Sequence, residues 1–192
     1  MGASVDSRID AFLADVQAIV HRHAGDEAAT TAAVAERLDA LLADGVELDP
    51  ALTAPDAEQY AMHPLHVARD ESFSAAVAVW GVGQATPIHD HGTWGVVGIV
   101  RGSEIETHYR VAAGAAPTAT ERRTLLPGDV EVCCTTDDNV HAVACGSDVP
   151  CVAIHVYGAN IGALPRRAFD PRTGEARTFV SAWATRAPAR EA

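Results

Sequence analysis

Apolar residues recur at three- and four-residue steps early in the chain and at shorter, alternating steps further on. Ile9, Phe12, Leu13, Val16, Ile19 and Val20 line one face of a helix. Val34, Leu38, Leu41 and Leu42 repeat that period after a break near Gly25, in a region that holds no proline from Val5 to Leu48. Asp26 to Thr31 can start the second helix and Gly45 can end it. Two amphipathic helices of this kind serve their own core, so they are expected to dock on the rest of the protein rather than on a separate partner.

From Leu52 to Asp70 prolines and mixed polarity predict connecting structure with a short helix. The texture changes at Phe73. SFSAAVAVWGVG reads as a small-residue strand that ends in glycines. GVVGIVRGSEIETHYRV is strand, turn at Arg101-Gly102-Ser103, strand. In its second half Ile105, Thr107, Tyr109 and Val111 alternate with charged or polar residues, and His108 falls on the charged face. RRTLLPGDVEVCC is a strand pair around the turn signal Pro127-Gly128-Asp129, and NVHAVAC and PCVAIHVYG are two further strands. Short strands at fairly even spacing predict a barrel or sandwich, with the helices packed outside. The chain divides into a helical segment over 1–70, a barrel over 71–185 and a frayed tail over 186–192, one structural domain overall.

Composition narrows the function classes. The 192 residues are 48% hydrophobic and 21% charged, which suits a globular chain. Fourteen Lys and Arg against 26 Asp and Glu give a net charge of −12, a balance that repels a phosphate backbone and excludes nucleic acid as the expected partner. No apolar run approaches membrane-spanning length, and MGASVDSRIDAFLADV lacks a secretory signal's basic flank and apolar block. Met1-Gly2 is not read as a myristoylation signal, because Asp6 stands where Ser or Thr is wanted. Cys133, Cys134, Cys145 and Cys151 form no CxxC pair and read as core thiols, so the expected compartment is a reducing cytoplasm.

Most of the nine histidines have an ordinary reading. His21 and His23 lie on the first helical segment, and His63 and His66 lie in the connector. His89 and His91 differ: in GQATPIHDHGTWG they are two apart, so on an extended strand both imidazoles share a face and Asp90 points the other way. Gly83, His89-Asp90-His91 and Gly102 resemble the first cupin motif, and Pro127-Gly128-Asp129 with His141 resembles the second. The Glu that normally follows the second His is missing, since Gly95 or Val96 stands there. His89, His91 and His141 remain as metal ligands. Three imidazoles suit iron(II) with open positions for substrate and oxygen, and they also suit zinc.

The series VWG, HDHGTWG, VH and IHVYG is similar to that of the cysteine dioxygenase family, in particular its bacterial thiol dioxygenases, across most of the chain. The resemblance implies a cupin double-stranded β-helix (jelly-roll) barrel with N-terminal α-helices outside. It implies iron(II) on His89, His91 and His141, adding both atoms of O2 to a substrate thiol. In Ala153-Ile154-His155-Val156-Tyr157 alternate residues share a face. Similar enzymes carry Ser, His and Tyr at the positions of Ala153, His155 and Tyr157, with the His orienting the Tyr toward iron. Ala153 removes the hydroxyl that would orient His155.

Two further departures concern a crosslink and an arginine. Animal members crosslink a Cys after HxH to the tyrosine, whereas Gly95-Val96 excludes that link from that position. They also hold the substrate carboxylate with an Arg upstream of the VWG strand, where Leu65 or His66 stands here, with Arg69 nearby. Bacterial 3-mercaptopropionate dioxygenases use an Arg after IHVYG, which points to Arg166, with Arg167 beside it. The expected enzyme is therefore an iron(II) thiol dioxygenase making a sulfinic acid from 3-mercaptopropionate or cysteine. The alternatives are a zinc, manganese or nickel hydrolase or isomerase on the same barrel, and a non-enzymatic ligand-binding cupin. Oligomeric state is open.

Overall fold

A computed structural model describes residues 7–112, 114–135 and 140–184. The start MGASVD and the tail over 186–192 lie outside the described residues. Helix α1 is Ser7–Arg22 and α2 is Glu27–Ala43. Asp26 caps α2 by accepting from the Ala29 amide at 3.0 Å, satisfying one donor the first turn leaves unpaired. Gly45, at φ +74°, follows the end of the helix, and its amide donates to the Leu42 carbonyl at 3.0 Å. A short α3, Pro50–Thr53, starts at Asp49, whose side chain accepts from the Ala51 amide.

Among the described residues eleven strands follow, in two antiparallel sheets. They are β1 Ala61–Val67, β2 Ser74–Trp80, β3 Ile88–His89, β4 Gly95–Arg101, β5 Glu104–Arg110 and β6 Thr118–Leu125. The rest are β7 Val130–Cys134, β8 His141–Cys145, β9 Cys151–Tyr157, β10 Arg166–Phe169 and β11 Ala176–Phe179. The order is β1-β2-β9-β4-β7 in one sheet and β11-β10-β3-β8-β5-β6 in the other. Sequence neighbours repeatedly lie in different sheets, the winding of a double-stranded β-helix barrel. Among the described residues, no helix is long and apolar enough to cross a membrane.

The five-stranded sheet separates two cores by its period of two. On its outer face Ala75, Val77, Val79, Val96, Val152, Ile154 and Val156 pack with Phe12, Leu13, Val16, Val34, Leu38 and Leu41 of the helices. Each such large side chain contributes about 1.5–3 kcal/mol on burial, which is what holds the helices on the barrel. Gly98 allows the approach: a Cβ there would lie 2.9 Å from side-chain atoms of both Leu38 and Leu42. On the inner face Ala76, Ala78, Trp80, Val97, Ile99, Ala153 and Tyr157 form the second core, with Cys133, Cys134 and Cys151. All four cysteines are free. Alanines on β2 and β9 leave the barrel interior room for larger polar side chains.

Several elements differ from the pattern-based expectation. The connector expected up to Asp70 contains β1, an edge strand whose buried His63 and Leu65 read poorly as alternation because Pro64 lies between them, at a register shift. The strands on either side of Pro127-Gly128-Asp129 do not pair with each other: β6 is the edge of one sheet and β7 the edge of the other, so the turn carries the chain across the barrel. In β5 the buried face is the charged one. Glu104 and Glu106 are buried while Ile105 is half-buried.

Candidate metal centre

The register of the six-stranded sheet assembles the histidines. β3 pairs β8 with His89 opposite His141, and β5 pairs β8 with His108 opposite His141, so residues far apart in sequence share one sheet face. His91 lies just past the end of β3, beside Gly92 at φ +64°. The three rings sit 4.8 Å (His89–His91), 4.9 Å (His89–His141) and 4.8 Å (His91–His141) apart, centroid to centroid. One nitrogen from each lies within 4.8 Å of the other two, and all three residues are buried. This group could hold a metal ion.

The donor chemistry fits. His89 Nδ1 lies 2.9 Å from the Pro87 carbonyl, which only accepts, so Nδ1 carries the proton and Nε2 keeps its lone pair. His141 Nδ1 donates in the same way to Glu106 Oε1 at 2.5 Å. A ligand histidine whose second nitrogen is held by a carboxylate or carbonyl is oriented and made more basic. Burial opposes the charge on Glu106, but the hydrogen bond from His141 and the adjacent His108 outweigh it and hold its carboxyl at about 2. Burial, and then the neighbouring His141, keep the His89 and His91 imidazoles neutral well below the usual histidine range. Neutral imidazole is the form that ligates.

The other expected residues line the same cavity. Tyr60, Met62, Trp80, Thr86, Val143 and Ser181 enclose it together with the three histidines, His155, Tyr157 and Arg166. The Tyr157 ring is 5.3 Å from that of His91, and its hydroxyl is 2.9 Å from His155 Nδ1. Burial pushes the Tyr157 phenol well above its ordinary pKa, so the hydroxyl stays protonated. Beside it Gly95 leaves no space for a side chain: a Cβ there would lie 2.6 Å from Cys134 Sγ and 3.3 Å from the Tyr157 ring.

The two adjacent arginines part ways on β10. Arg166 is 5% exposed, donates from Nη2 to Ser181 Oγ at 2.6 Å and stacks its guanidinium 4.8 Å from the Phe179 ring centroid. Its Nε has no hydrogen-bond partner among the described residues. Arg167 turns outward, with a side chain 64% exposed, and pairs with the buried Asp90 at 2.5 Å. Asp90 thus points away from the imidazoles, as the HxH spacing predicts. Arg69 is exposed and does not line the cavity.

Sequence reasoning missed Glu104 and Glu106. Their only signal is a pair of glutamates at a spacing of two in a strand that a barrel must bury on one face. Tyr60 and Ser181 were missed as well, and they carry no local signal. They meet at 2.8 Å from segments 121 residues apart.

No family model matches the chain. Solved structures of similar shape include a cupin superfamily protein from Desulfitobacterium hafniense, at 12% identity over 57% of this chain and 86% of that one, with a TM-score of 0.43. A Klebsiella pneumoniae protein with a double-stranded β-helix domain matches at 14% identity over 70% of this chain and 96% of that one, with a TM-score of 0.44. An oxalate oxidase in complex with the substrate analogue glycolate matches at 11% identity over 59% and 58%, with a TM-score of 0.45.

Proposed function

We propose that this chain is an iron(II)-dependent thiol dioxygenase that converts 3-mercaptopropionate or cysteine and O2 to the corresponding sulfinic acid. Arg166 is the observation that carries the reading. A guanidinium buried in the wall of the three-histidine cavity, answered among the described residues by a hydroxyl and an aromatic ring, is costly unless an anion completes it. A substrate carboxylate does so with a planar two-point fit. Three neutral imidazoles also leave the ion without an anionic protein ligand, which favours an anionic sulfur as a further ligand.

His89, His91 and His141 would hold the metal, which supplies when bound the redox chemistry that joins sulfur to O2. Arg166 fixes the carboxylate end of the substrate, so the thiol end faces the imidazoles. Ser181 steadies the guanidinium, and Tyr60 in turn holds Ser181. Tyr157 presents its hydroxyl to the reacting end, and His155 holds that hydroxyl. Trp80, Met62 and Val143 keep bulk water out of a site where both O2 and thiol must stay in place. The overall balance is simple: one thiol and one O2 give one sulfinic acid, with no further reductant.

A panel of small thiols in an oxygen electrode, run on iron-loaded and zinc-loaded protein, tests the reading. Uptake confined to the iron form, and greater with 3-mercaptopropionate or cysteine than with cysteamine, is the expected result. Equal performance of the zinc form in a hydrolysis or isomerisation screen, without oxygen uptake, would replace it.

A further inference from the structure

Glu104 is a buried carboxylate that the proposed reaction does not use. It lies on β5, two residues before Glu106, with its side chain 1% exposed. Its Oε2 is 3.8 Å from Nε2 of His155 on the opposite sheet, and neither atom has a hydrogen-bond partner among the described residues. Trp80 flanks the same imidazole, with ring centroids 5.5 Å apart. Ala153, two residues before His155 on the same strand face, has no hydroxyl to offer. Glu104 Oε2 and His155 Nε2 are shut away from water at charge-contact distance, longer than a direct hydrogen bond, with no hydrogen-bond partner among the described residues. The charge of one therefore acts strongly on the other.

We propose that Glu104 is a positioning residue that sets the tautomer of His155 and, through it, the direction of the Tyr157 hydroxyl. The proposal rests on the reading above in which Tyr157 faces the reacting thiol. An ionised Glu104 can only accept, so its charge beside Nε2 favours the His155 tautomer that carries hydrogen there. Nδ1 of the neutral ring is then the acceptor, and the Tyr157 hydroxyl 2.9 Å away donates to it. The phenol proton is committed to His155, and the phenolic lone pair faces the cavity. Tyr157 therefore presents an acceptor, not a donor, to the reacting end of the cavity. The opposite tautomer would reverse the chain and turn the phenol proton into the cavity. Because β5 and β9 belong to different sheets, this contact spans the barrel interior.

Long-range proton–nitrogen NMR on ¹⁵N-histidine-labelled, zinc-loaded protein reads the tautomer directly, with His155 assigned by its loss in His155→Gln. Wild type should show one tautomer, protonated at Nε2. Glu104→Gln should convert it to a mixture, because an amide both donates and accepts. In the iron form the same variant should lower kcat about tenfold, with KM and metal content unchanged. A wild-type His155 protonated at Nδ1, or a spectrum indifferent to Glu104→Gln, overturns the proposal. If Glu104→Gln does not fold, Glu104→Asp takes its place: it withdraws the charge from Nε2 and should likewise give a mixture, and an unchanged tautomer there overturns the proposal. A tautomer shift in a protein that oxidises no thiol would leave the positioning role standing and overturn the proposed reaction instead.

Discussion

Nδ1 of His141 donates to Oε1 of Glu106 at 2.5 Å, in a part of the barrel closed to solvent, and the other oxygen of the same carboxylate lies 3.3 Å from His108 Nε2. The carboxylate therefore joins a candidate ligand to a histidine nearer the surface. It holds the His141 ring with Nε2 toward His89 and His91, and it supplies the negative charge that the ligand set lacks. Glu106→Gln keeps the shape and removes the charge. It should weaken metal binding about 10- to 100-fold, measured by competition with a chelator of known affinity. Unchanged affinity would show that His141 needs no such support.

Arg166 and Arg167 provide an internal control. Arg166→Ala should raise KM for the thiol acid, or lower kcat/KM, about ten- to a hundredfold, the worth of a charge-assisted bidentate pair. Metal content should not change. Arg167→Ala removes the charged partner of the buried Asp90 and should leave kinetics as in wild type, with stability lowered by about 1–3 kcal/mol. Steady-state kinetics and urea unfolding of both variants check this. Reversed roles would place the carboxylate outside the cavity.

The helices should be as much a part of the fold as the strands. Leu38 is fully buried between α2 and the sheet, and Leu38→Ala should cost about 2–5 kcal/mol of unfolding free energy. Gly98→Ala, which forces a methyl against Leu38 and Leu42, should cost about 1–3 kcal/mol. In chemical denaturation both should move a single transition. A separate early transition for the helices would show instead that they are dispensable.

What the sequence made legible was whatever depends on local period. The three-and-four spacing from Ile9 to Leu42 marked the helices and their buried faces, and Asp26 and Gly45 marked their junction and end. The HxH spacing placed His89 and His91 together and turned Asp90 away. The single His141 was recognisable only beside its turn signal and the wider motif resemblance. Illegible were the features that depend on which strands become neighbours. Arg166 and Arg167 look equivalent in ALPRRAFD, and only the pairing of β10 with β3 turns one into the cavity and the other outward. Glu104 and Glu106 look solvated, because alternation reveals two faces but not which one the second sheet covers. β1 was hidden by Pro64, and the β6–β7 connection by a turn that equally well closes a hairpin.

The most direct test of the proposed reaction is the fate of oxygen in the product. Iron(II)-loaded protein is given 3-mercaptopropionate under ¹⁸O2, and the product is read by mass spectrometry. The expected result is the sulfinic acid with both new oxygen atoms labelled and one O2 consumed per thiol, absent in His141→Ala. A product carrying oxygen from water, a disulfide in place of the sulfinate, or the same yield from His141→Ala would contradict it.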